Sequence, residues 1–126
     1  MVLKQLIKYW GPVVGWCAVI FMLSSIPTHP SPKIIWWDFV LKKTAHLTEY
    51  AILYFLVFRA VNKKLKKMIN WLTPFLITIP YAVSDEIHQY FIPGRSCRWY
   101  DVMIDISGML IGLFLIRKIL RSQKNT

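Results

Sequence analysis

The sequence predicts an all-α membrane protein, a bundle of four transmembrane helices with both termini in the cytoplasm. Three observations lead to this fold class. Hydrophobic residues make up 56% of the 126 residues, and the mean hydropathy is +0.42, whereas soluble domains contain about 45–50% apolar residues. The apolar residues form long blocks, which is typical of segments that cross a bilayer. The basic residues lie between and beside these blocks, as the charges that flank membrane helices do.

The apolar blocks divide the chain, which we interpret as a single domain, into four predicted spans. Each is close to the ~20 residues that an α-helix needs to cross a bilayer. The spans cover residues 9–26, 43–61, 68–91 and 100–120. No cleavage motif of small residues follows the first span, so we expect it to be retained and not to be a signal peptide. Pro74 and Pro80 lie in the third span, which we expect to be bent.

The connection between the first two spans has two parts. Residues 27–32 are rich in proline and predict a loop. Residues 34–37, which read Ile-Ile-Trp-Trp, are flanked by Lys33 and Lys42. Tryptophan and lysine are both favoured at the membrane surface, so we predict a short segment there that lies in the interface.

The distribution of charge predicts the orientation. Eleven of the sixteen basic residues, and no acidic residue, lie in the N-terminus, the connection between spans two and three, and the C-terminus. The other five basic residues and all six acidic residues lie on the opposite side. The positive-inside rule therefore places both termini in the cytoplasm and the acidic side outside the cell. Because the basic residues are explained by topology, the net charge of +10 does not predict a nucleic-acid partner.

Ionisable residues gather at the predicted outer ends of spans two and three. His46 and Glu49 are three residues apart, so they share one face of the second helix. Asp85, His88 and Gln89 have the spacing i, i+3, i+4 and share one face of the third. Glu86, by the same spacing, points elsewhere, and we expect it to be solvated.

The fourth span combines acidic and small residues on one face. Asp101, Asp105, Gly108 and Gly112 recur at helical spacing. Gly-x-x-x-Gly allows two membrane helices to approach closely, so a packing face that includes both aspartates turns them toward the interior. A charge buried in hydrocarbon costs several kcal/mol unless it is paired or hydrated. We therefore predict that the ionisable groups of the three helices face one another around a polar cavity.

Each of these residues also has a purely structural interpretation. His46 can be a histidine that is hydrogen-bonded to a neighbouring acid, and Asp101 can cap the fourth helix. Pro93-Gly94 predicts a tight turn in the short third connection. Arg95 follows that turn, and we expect it to project over the carboxylates. It is either their counter-ion or the anchor for a phosphate or carboxylate of a ligand.

Four stretches of the chain carry a resemblance to a known family. They are Lys-Thr-Ala-His-Leu-Thr-Glu-Tyr-Ala at 43–51, Ser-Asp-Glu-Ile-His-Gln at 84–89, Pro-Gly-Arg at 93–95 and Asp-Val-Met-Ile-Asp-Ile-Ser-Gly at 101–108. In this order and spacing they resemble the VanZ-like family, named for a protein associated with resistance to the glycopeptide teicoplanin. The resemblance covers about residues 42–115 and implies a bacterial membrane protein linked to cell-envelope antibiotics. Asn often occupies the position of Asp105 in the family, which makes Asp101 the more important carboxylate.

These observations define the candidate site. The residues assigned to chemistry, if chemistry occurs, are His46, Glu49, Asp85, His88 and Asp101. The residues assigned to ligand contact are Lys43, Tyr50, Gln89, Arg95 and Asp105. The pairs His46/Glu49 and Asp85/His88 resemble halves of a carboxylate–histidine metal centre, although the His-Glu-x-x-His signature of zinc proteases is missing. Cys17 and Cys97 form no metal-binding or redox motif.

Three functions are compatible with such a site. The preferred hypothesis is recognition of a lipid-linked cell-wall intermediate, or of the lipidated drug itself, in a polar cavity at the outer leaflet. The second is a membrane enzyme, with a divalent metal as a conceivable cofactor, that acts on a lipid phosphate or acyl group. The third is a small proton-coupled exporter, which is less favoured because the middle of each span lacks ionisable residues. Nothing in the sequence determines the oligomeric state.

Overall fold

The computed structural model describes residues 1–28, 36–64 and 68–126, and for Lys64 only the backbone. In these residues the protein consists of four α-helices and one short 3-10 turn, without a β-strand. The helices are α1 (Val2–Ser24), α2 (Trp36–Val61), α3 (Leu72–Tyr90) and α4 (Trp99–Lys124). The prediction of an all-α fold with four helices is confirmed. Half of the predicted interfacial segment, residues 34 and 35, lies outside the described residues, and Trp36 and Trp37 form the first turn of α2.

One of the four helices is long and apolar enough, among the described residues, to be a candidate membrane span. It is α1, whose apolar window has a mean hydropathy of 1.6 and is mostly exposed on the surface of the bundle. The passage of α2, α3 and α4 through a membrane and the location of the termini therefore remain predictions.

α2 is the central helix of the bundle and contacts each of the other three. Its residues Tyr50, Leu53, Tyr54 and Val57 are almost completely inaccessible. They recur at the i, i+3, i+4, i+7 spacing that forms one stripe along a helix. Because α2 supplies six of the eleven buried apolar residues of the described structure, the positions of α1, α3 and α4 are all defined relative to α2.

α4 approaches α2 closely at the two glycines of the predicted packing face. A Cβ atom at Gly108 would lie 2.4 Å from the carbonyl oxygen of Leu47, and one at Gly112 would lie 2.8 Å from that of Ala51. Real Cβ atoms do not come this near to a backbone oxygen. The absence of side chains at these positions therefore allows α2 and α4 to be in backbone contact, as small-residue motifs do in membrane helices.

Two asparagines, Asn62 and Asn70, connect α3 to α2, and no sequence motif indicated this role. Asn62 Nδ2 donates to the backbone oxygens of Phe58 and Asn70 at 3.0 Å, and the amide of Asn70 donates to Asn62 Oδ1 at 2.7 Å. Asn70 Oδ1 in turn accepts hydrogen bonds from the amides of Leu72 and Thr73, at the beginning of α3. These bonds satisfy backbone groups at the helix ends that would otherwise lack partners.

The two prolines of the third predicted span have different positions in α3. Pro74 lies in the first turn, where a backbone N–H has no partner within the helix anyway, so it is tolerated there. Pro80 lies in the interior and removes one helical hydrogen bond. The predicted bend of this helix would thus arise at Pro80, and it stays a prediction.

The close approach of α2 and α4 predicts a specific sensitivity to substitution. We expect Gly108→Ala to lower the free energy of unfolding by about 1–3 kcal/mol, because the added methyl group overlaps backbone that cannot rotate away. The measurement is thermal unfolding of the protein in a mild detergent.

Gly15→Ala is the matched control for this prediction. Gly15 is exposed in α1, and a Cβ atom there would meet nothing within 4 Å. Alanine is also a better helix former than glycine, so the stability of the Gly15→Ala variant should equal or slightly exceed that of the wild type. Equal effects of the two substitutions would show that α2 and α4 are not in backbone contact.

Candidate functional site

One end of the bundle is polar in its interior, and we call it the polar end. The C-terminal ends of α1 and α3 meet the N-terminal ends of α2 and α4 there, as the hydrogen bonds between them show. Six polar or charged residues of this region have no more than 8% of their surface exposed. They are Ser24, Asp85, Glu86, Gln89, Asp101 and Asp105. Four buried carboxyl groups in a chain of this size are unusual, because acidic residues are rarely buried without a partner.

An ion pair and a contact between histidine and carboxylate connect α2 to α4 at the polar end. Lys43 Nζ donates to Asp101 Oδ1, and His46 Nδ1 lies 3.0 Å from Asp105 Oδ1. The partners are three residues apart on α2 and four apart on α4, so both pairs form along one helix interface. Asp105 is completely inaccessible. The prediction that the aspartates of α4 face the interior agrees with this arrangement, and His46 pairs with Asp105 rather than with Glu49.

A second network connects α1, α2 and α3 around Asp85. Tyr50 Oη donates to Asp85 Oδ2 at 3.2 Å, and Gln89 Nε2 donates to the same oxygen at 3.1 Å. Gln89 Nε2 is also 3.3 Å from Ser24 Oγ on α1. Asp85 Oδ1 has no hydrogen-bond partner among the described residues. The structure thus brings together Tyr50, Asp85 and Gln89, all of which the sequence assigned to the site.

The prediction that Glu86 is solvated is wrong. It is only 2% exposed, and neither of its carboxylate oxygens has a hydrogen-bond partner among the described residues. Its carboxylate lies instead with His46 and Asp105, and one ligating atom from each of the three residues lies within 4.8 Å of the others. Asp85 and Glu86 differ by 100° around α3, and both directions are interior because α3 contacts α1, α2 and α4.

His88 also departs from the expected arrangement. It was predicted to share the inward face of Asp85, but its ring stacks on Phe21 of α1 at a centroid distance of 4.4 Å. Its Nε2 atom lies 2.9 Å from Ser25 Oγ. The end of α1 covers this side of α3, and His88 contacts that end rather than the carboxyl groups.

Glu49 is half-buried, and its carboxylate makes no hydrogen bond to the described residues. Only its backbone carbonyl is engaged, as the acceptor of a 2.9 Å hydrogen bond from Trp16 Nε1. Glu49 lines a small cavity beside His46 and Arg95. It therefore lies next to the cluster of buried carboxyl groups without belonging to it.

Arg95 has a role that neither of the two sequence hypotheses described. Its Nε and Nη2 atoms donate to the carbonyl oxygens of Ile26 and Leu23 at 3.0 and 2.9 Å, and Nη1 is 3.4 Å from Gln89 Oε1. A cation is favoured at the C-terminal end of a helix, where carbonyl groups lack partners. Arg95 therefore fastens the third connection to the end of α1.

The turn before Arg95 is fastened in the same way. Gly94 has a φ of 80°, and a Cβ atom there would lie 1.5 Å from the carbonyl oxygen of Thr28. Thr28 Oγ1 donates to the carbonyl oxygen of Gly94 at 2.7 Å, and the Thr28 amide donates to that of Pro93 at 3.2 Å. The Pro-Gly-Arg motif thus needs glycine both for its backbone conformation and for the close approach of the other connection.

The surface of the polar end contains a cleft of about 210 Å³, which we call the polar cleft. Its charged lining consists of Lys42, Lys43, Arg95, Arg98 and Asp101, with His46 and Gln89 deeper inside. The single carboxylate is paired with Lys43. The polar cleft is therefore positively charged, and it attracts anionic groups.

An apolar groove of about 460 Å³ lies between α2 and α4. It begins at Leu47 and Thr48, next to His46 in the sequence, and continues along the two helices to Phe55, Leu115 and Ile119. We refer to it as the apolar groove. The groove therefore begins on α2 at the residue that follows His46 of the polar cleft, although the two features share no lining residue.

The anchoring role of Arg95 predicts a loss of stability when its hydrogen bonds are removed. We expect Arg95→Gln to lower the free energy of unfolding by about 1–2 kcal/mol, since charged hydrogen bonds to two partly exposed carbonyl groups are lost. Arg98→Gln is the control, because Arg98 is exposed and donates only to the nearby Tyr100. Thermal unfolding in detergent measures the stability of both variants. If Arg98→Gln destabilised the protein as much as Arg95→Gln, the anchoring role of Arg95 would be contradicted.

Comparison with known proteins gives one match. Residues 8–121 match the family model described as VanZ/LLP1, which covers all four helices. No curated protein and no solved structure shows significant similarity to the chain. The match agrees with the resemblance seen in the sequence motifs and includes α1, which the motifs did not reach. The chain belongs to the VanZ/LLP1 family.

Proposed function

We propose that this member of the VanZ/LLP1 family is a multi-pass protein of the bacterial cytoplasmic membrane that binds an anionic, lipid-linked envelope molecule at its polar end. By binding it, the protein would reduce the action of a glycopeptide of the teicoplanin type. The observation that carries the proposal is that the apolar groove begins at Leu47, the residue that follows His46 of the polar cleft. A ligand with an anionic head group and a long apolar tail would match these two features, with the head group in the cleft and the tail in the groove.

The head group is the part that the polar cleft would recognise. Lysine and arginine side chains bind phosphate through charge-assisted hydrogen bonds, and Lys42 and Arg98 at the cleft are exposed. Pockets for drug-sized ligands have volumes of about 300–1,000 Å³. The 210 Å³ of the cleft suits a phosphate or diphosphate group and not a whole glycopeptide. This favours a lipid-linked intermediate over the drug as the ligand.

The tail would lie along the apolar groove between α2 and α4. In a bilayer the tail is already in contact with hydrocarbon, so its transfer to the groove gains little hydrophobic free energy. We therefore expect the groove to align the ligand and the head group to supply most of the affinity.

Several features support a location in the membrane. Large apolar side chains are exposed on every helix, among them Phe21, Leu76 and Phe114, whereas soluble monomers rarely expose extended apolar surface. Trp36, Trp37 and Trp99 are more than 70% exposed near the polar end, as in the aromatic belts of membrane proteins. The basic residues with no acidic neighbours lie at the other end, which supports a polar end that faces outward.

The proposed orientation predicts how Cys97 reacts. In a Cys17→Ser background, exposed Cys97 should react with a membrane-impermeant maleimide in intact cells. A cysteine introduced near the C-terminus, as Ser122→Cys in a chain without other cysteines, should react only after the cells are permeabilised. If Cys97 reacted only after permeabilisation, the polar end would be cytoplasmic and the proposal would fail.

The proposed recognition predicts that an alkyl phosphate binds through the polar cleft. The purified chain in an uncharged detergent should bind dodecyl phosphate more tightly than dodecanol, which has the tail alone, or inorganic phosphate, which has the head alone. The double variant Lys42→Gln/Arg98→Gln should weaken the binding of dodecyl phosphate by about ten-fold or more, because two charge-assisted hydrogen bonds are lost. Isothermal titration calorimetry measures the affinities.

The double variant Lys118→Gln/Arg121→Gln is the matched control. It removes the same charges from the opposite end of the bundle, and it should leave the affinity for dodecyl phosphate unchanged. Equal binding of dodecyl phosphate and dodecanol would refute head-group recognition. An equal loss in both double variants would show a general effect of charge.

The same variants connect binding to resistance. A sensitive strain that expresses the wild-type chain should need more teicoplanin for growth inhibition, and the benefit should decrease with the affinity for the lipid phosphate. If His46→Ala abolished resistance while dodecyl phosphate still bound as in the wild type, the result would favour the membrane enzyme instead.

A further inference from the structure

The buried carboxyl groups of the polar end do not have equal numbers of partners. Asp101 is paired with Lys43, and Asp85 accepts hydrogen bonds from Tyr50 and Gln89. Asp105 uses one oxygen for His46. Besides Asp85 Oδ1, three carboxylate oxygens have no hydrogen-bond partner among the described residues, namely Asp105 Oδ2 and both oxygens of Glu86.

Glu86 is therefore the buried carboxyl group with the fewest partners in the described residues, and Asp105, which lies beside it, has one free oxygen. Both side chains have no more than 2% of their surface exposed, and an ionised carboxylate that is buried without a partner is strongly disfavoured. The contact between His46 and Asp105 gives one oxygen of Asp105 a partner, but it gives neither oxygen of Glu86 one. A cation held between the two carboxylates would compensate all of these atoms together.

We propose that His46, Glu86 and Asp105 bind one divalent metal ion. A single ligating atom from each residue lies within 4.8 Å of the other two. In the tetrahedral geometry of zinc sites, ligand atoms at about 2.0–2.2 Å from the ion lie about 3.3–3.6 Å from one another, so the side chains would close around the ion by up to about 1.5 Å. One imidazole with two carboxylates suits Zn²⁺ or Mn²⁺ better than the harder ions, which prefer oxygen alone.

Each of the three ligands comes from a different helix. His46 belongs to α2, Glu86 to α3 and Asp105 to α4. A bound ion would therefore fasten the three helices together at the polar end. Three protein ligands leave a coordination position open, as in metal sites that bind a further group. Because His46 also borders the polar cleft, that position would be near the anionic group that the cleft attracts. The metal site does not depend on the proposed lipid binding, and the two are tested separately.

The test is the uptake of the metal alone by the whole chain in detergent. Wild-type protein that has been stripped with a chelator should take up one equivalent of Zn²⁺ or Mn²⁺, measured by elemental analysis after desalting, and its unfolding temperature should rise on binding. Asp105→Asn and Glu86→Gln should weaken binding by at least about ten-fold. Asp38→Asn is the matched control, since Asp38 is exposed at the beginning of α2, and it should bind as the wild type does.

Glu86→Gln also tests whether a loss of binding is a loss of fold. In the presence of a chelator this variant should be at least as stable as the wild type, because it removes a buried charge that has no partner. The wild type alone gives a second measurement. With Co²⁺ it should develop the visible absorption of a metal bound to nitrogen and oxygen ligands, and Zn²⁺ should displace it. A wild-type chain that takes up no metal, or a Glu86→Gln variant that binds as tightly as the wild type, would overturn the proposal.

Discussion

The contact between α2 and α4 at Gly108 and Gly112 is the constraint on which the polar end depends. The missing side chains let the two backbones touch. One and two turns away, the same contact places Asp105 against His46 and Asp101 against Lys43. A wider separation of the helices would lengthen both of these contacts. The glycines thus reduce the free-energy cost of burying the aspartates, because they bring basic groups within hydrogen-bond distance.

The connections at the polar end keep this arrangement closed. Arg95 holds the end of α1 through two carbonyl oxygens and reaches Gln89, which donates to Asp85. Gly94 allows the third connection to contact Thr28 of the first. The Pro-Gly-Arg motif is therefore part of the scaffold of the polar end. Preorganised functional groups usually need support of this kind from rigid elements.

The polar end also contains more negative charge than packing alone would require. A core built only for stability would avoid Glu86, because a buried carboxylate without a partner reduces stability. Groups of this kind collect at functional sites, where the cost is balanced by an interaction with something bound. A metal ion below the polar cleft and an anionic head group within it would be complementary, since His46 borders both.

The number of helices follows from the apolar blocks of the sequence, and the family follows from its motifs. The packing face of α4 and the inward direction of its aspartates follow from periodicity along one helix, where residues three or four apart share a face whatever the neighbours are. Only the tertiary structure shows which neighbour each face meets. Spacing along α3 predicted that His88 lies beside Asp85 and that Glu86 lies outside the site. In the structure, the end of α1 contacts His88, and residues of α2 and α4 lie around Glu86. A helix surrounded on three sides has more than one interior face, and only the arrangement of its neighbours shows which residues lie together.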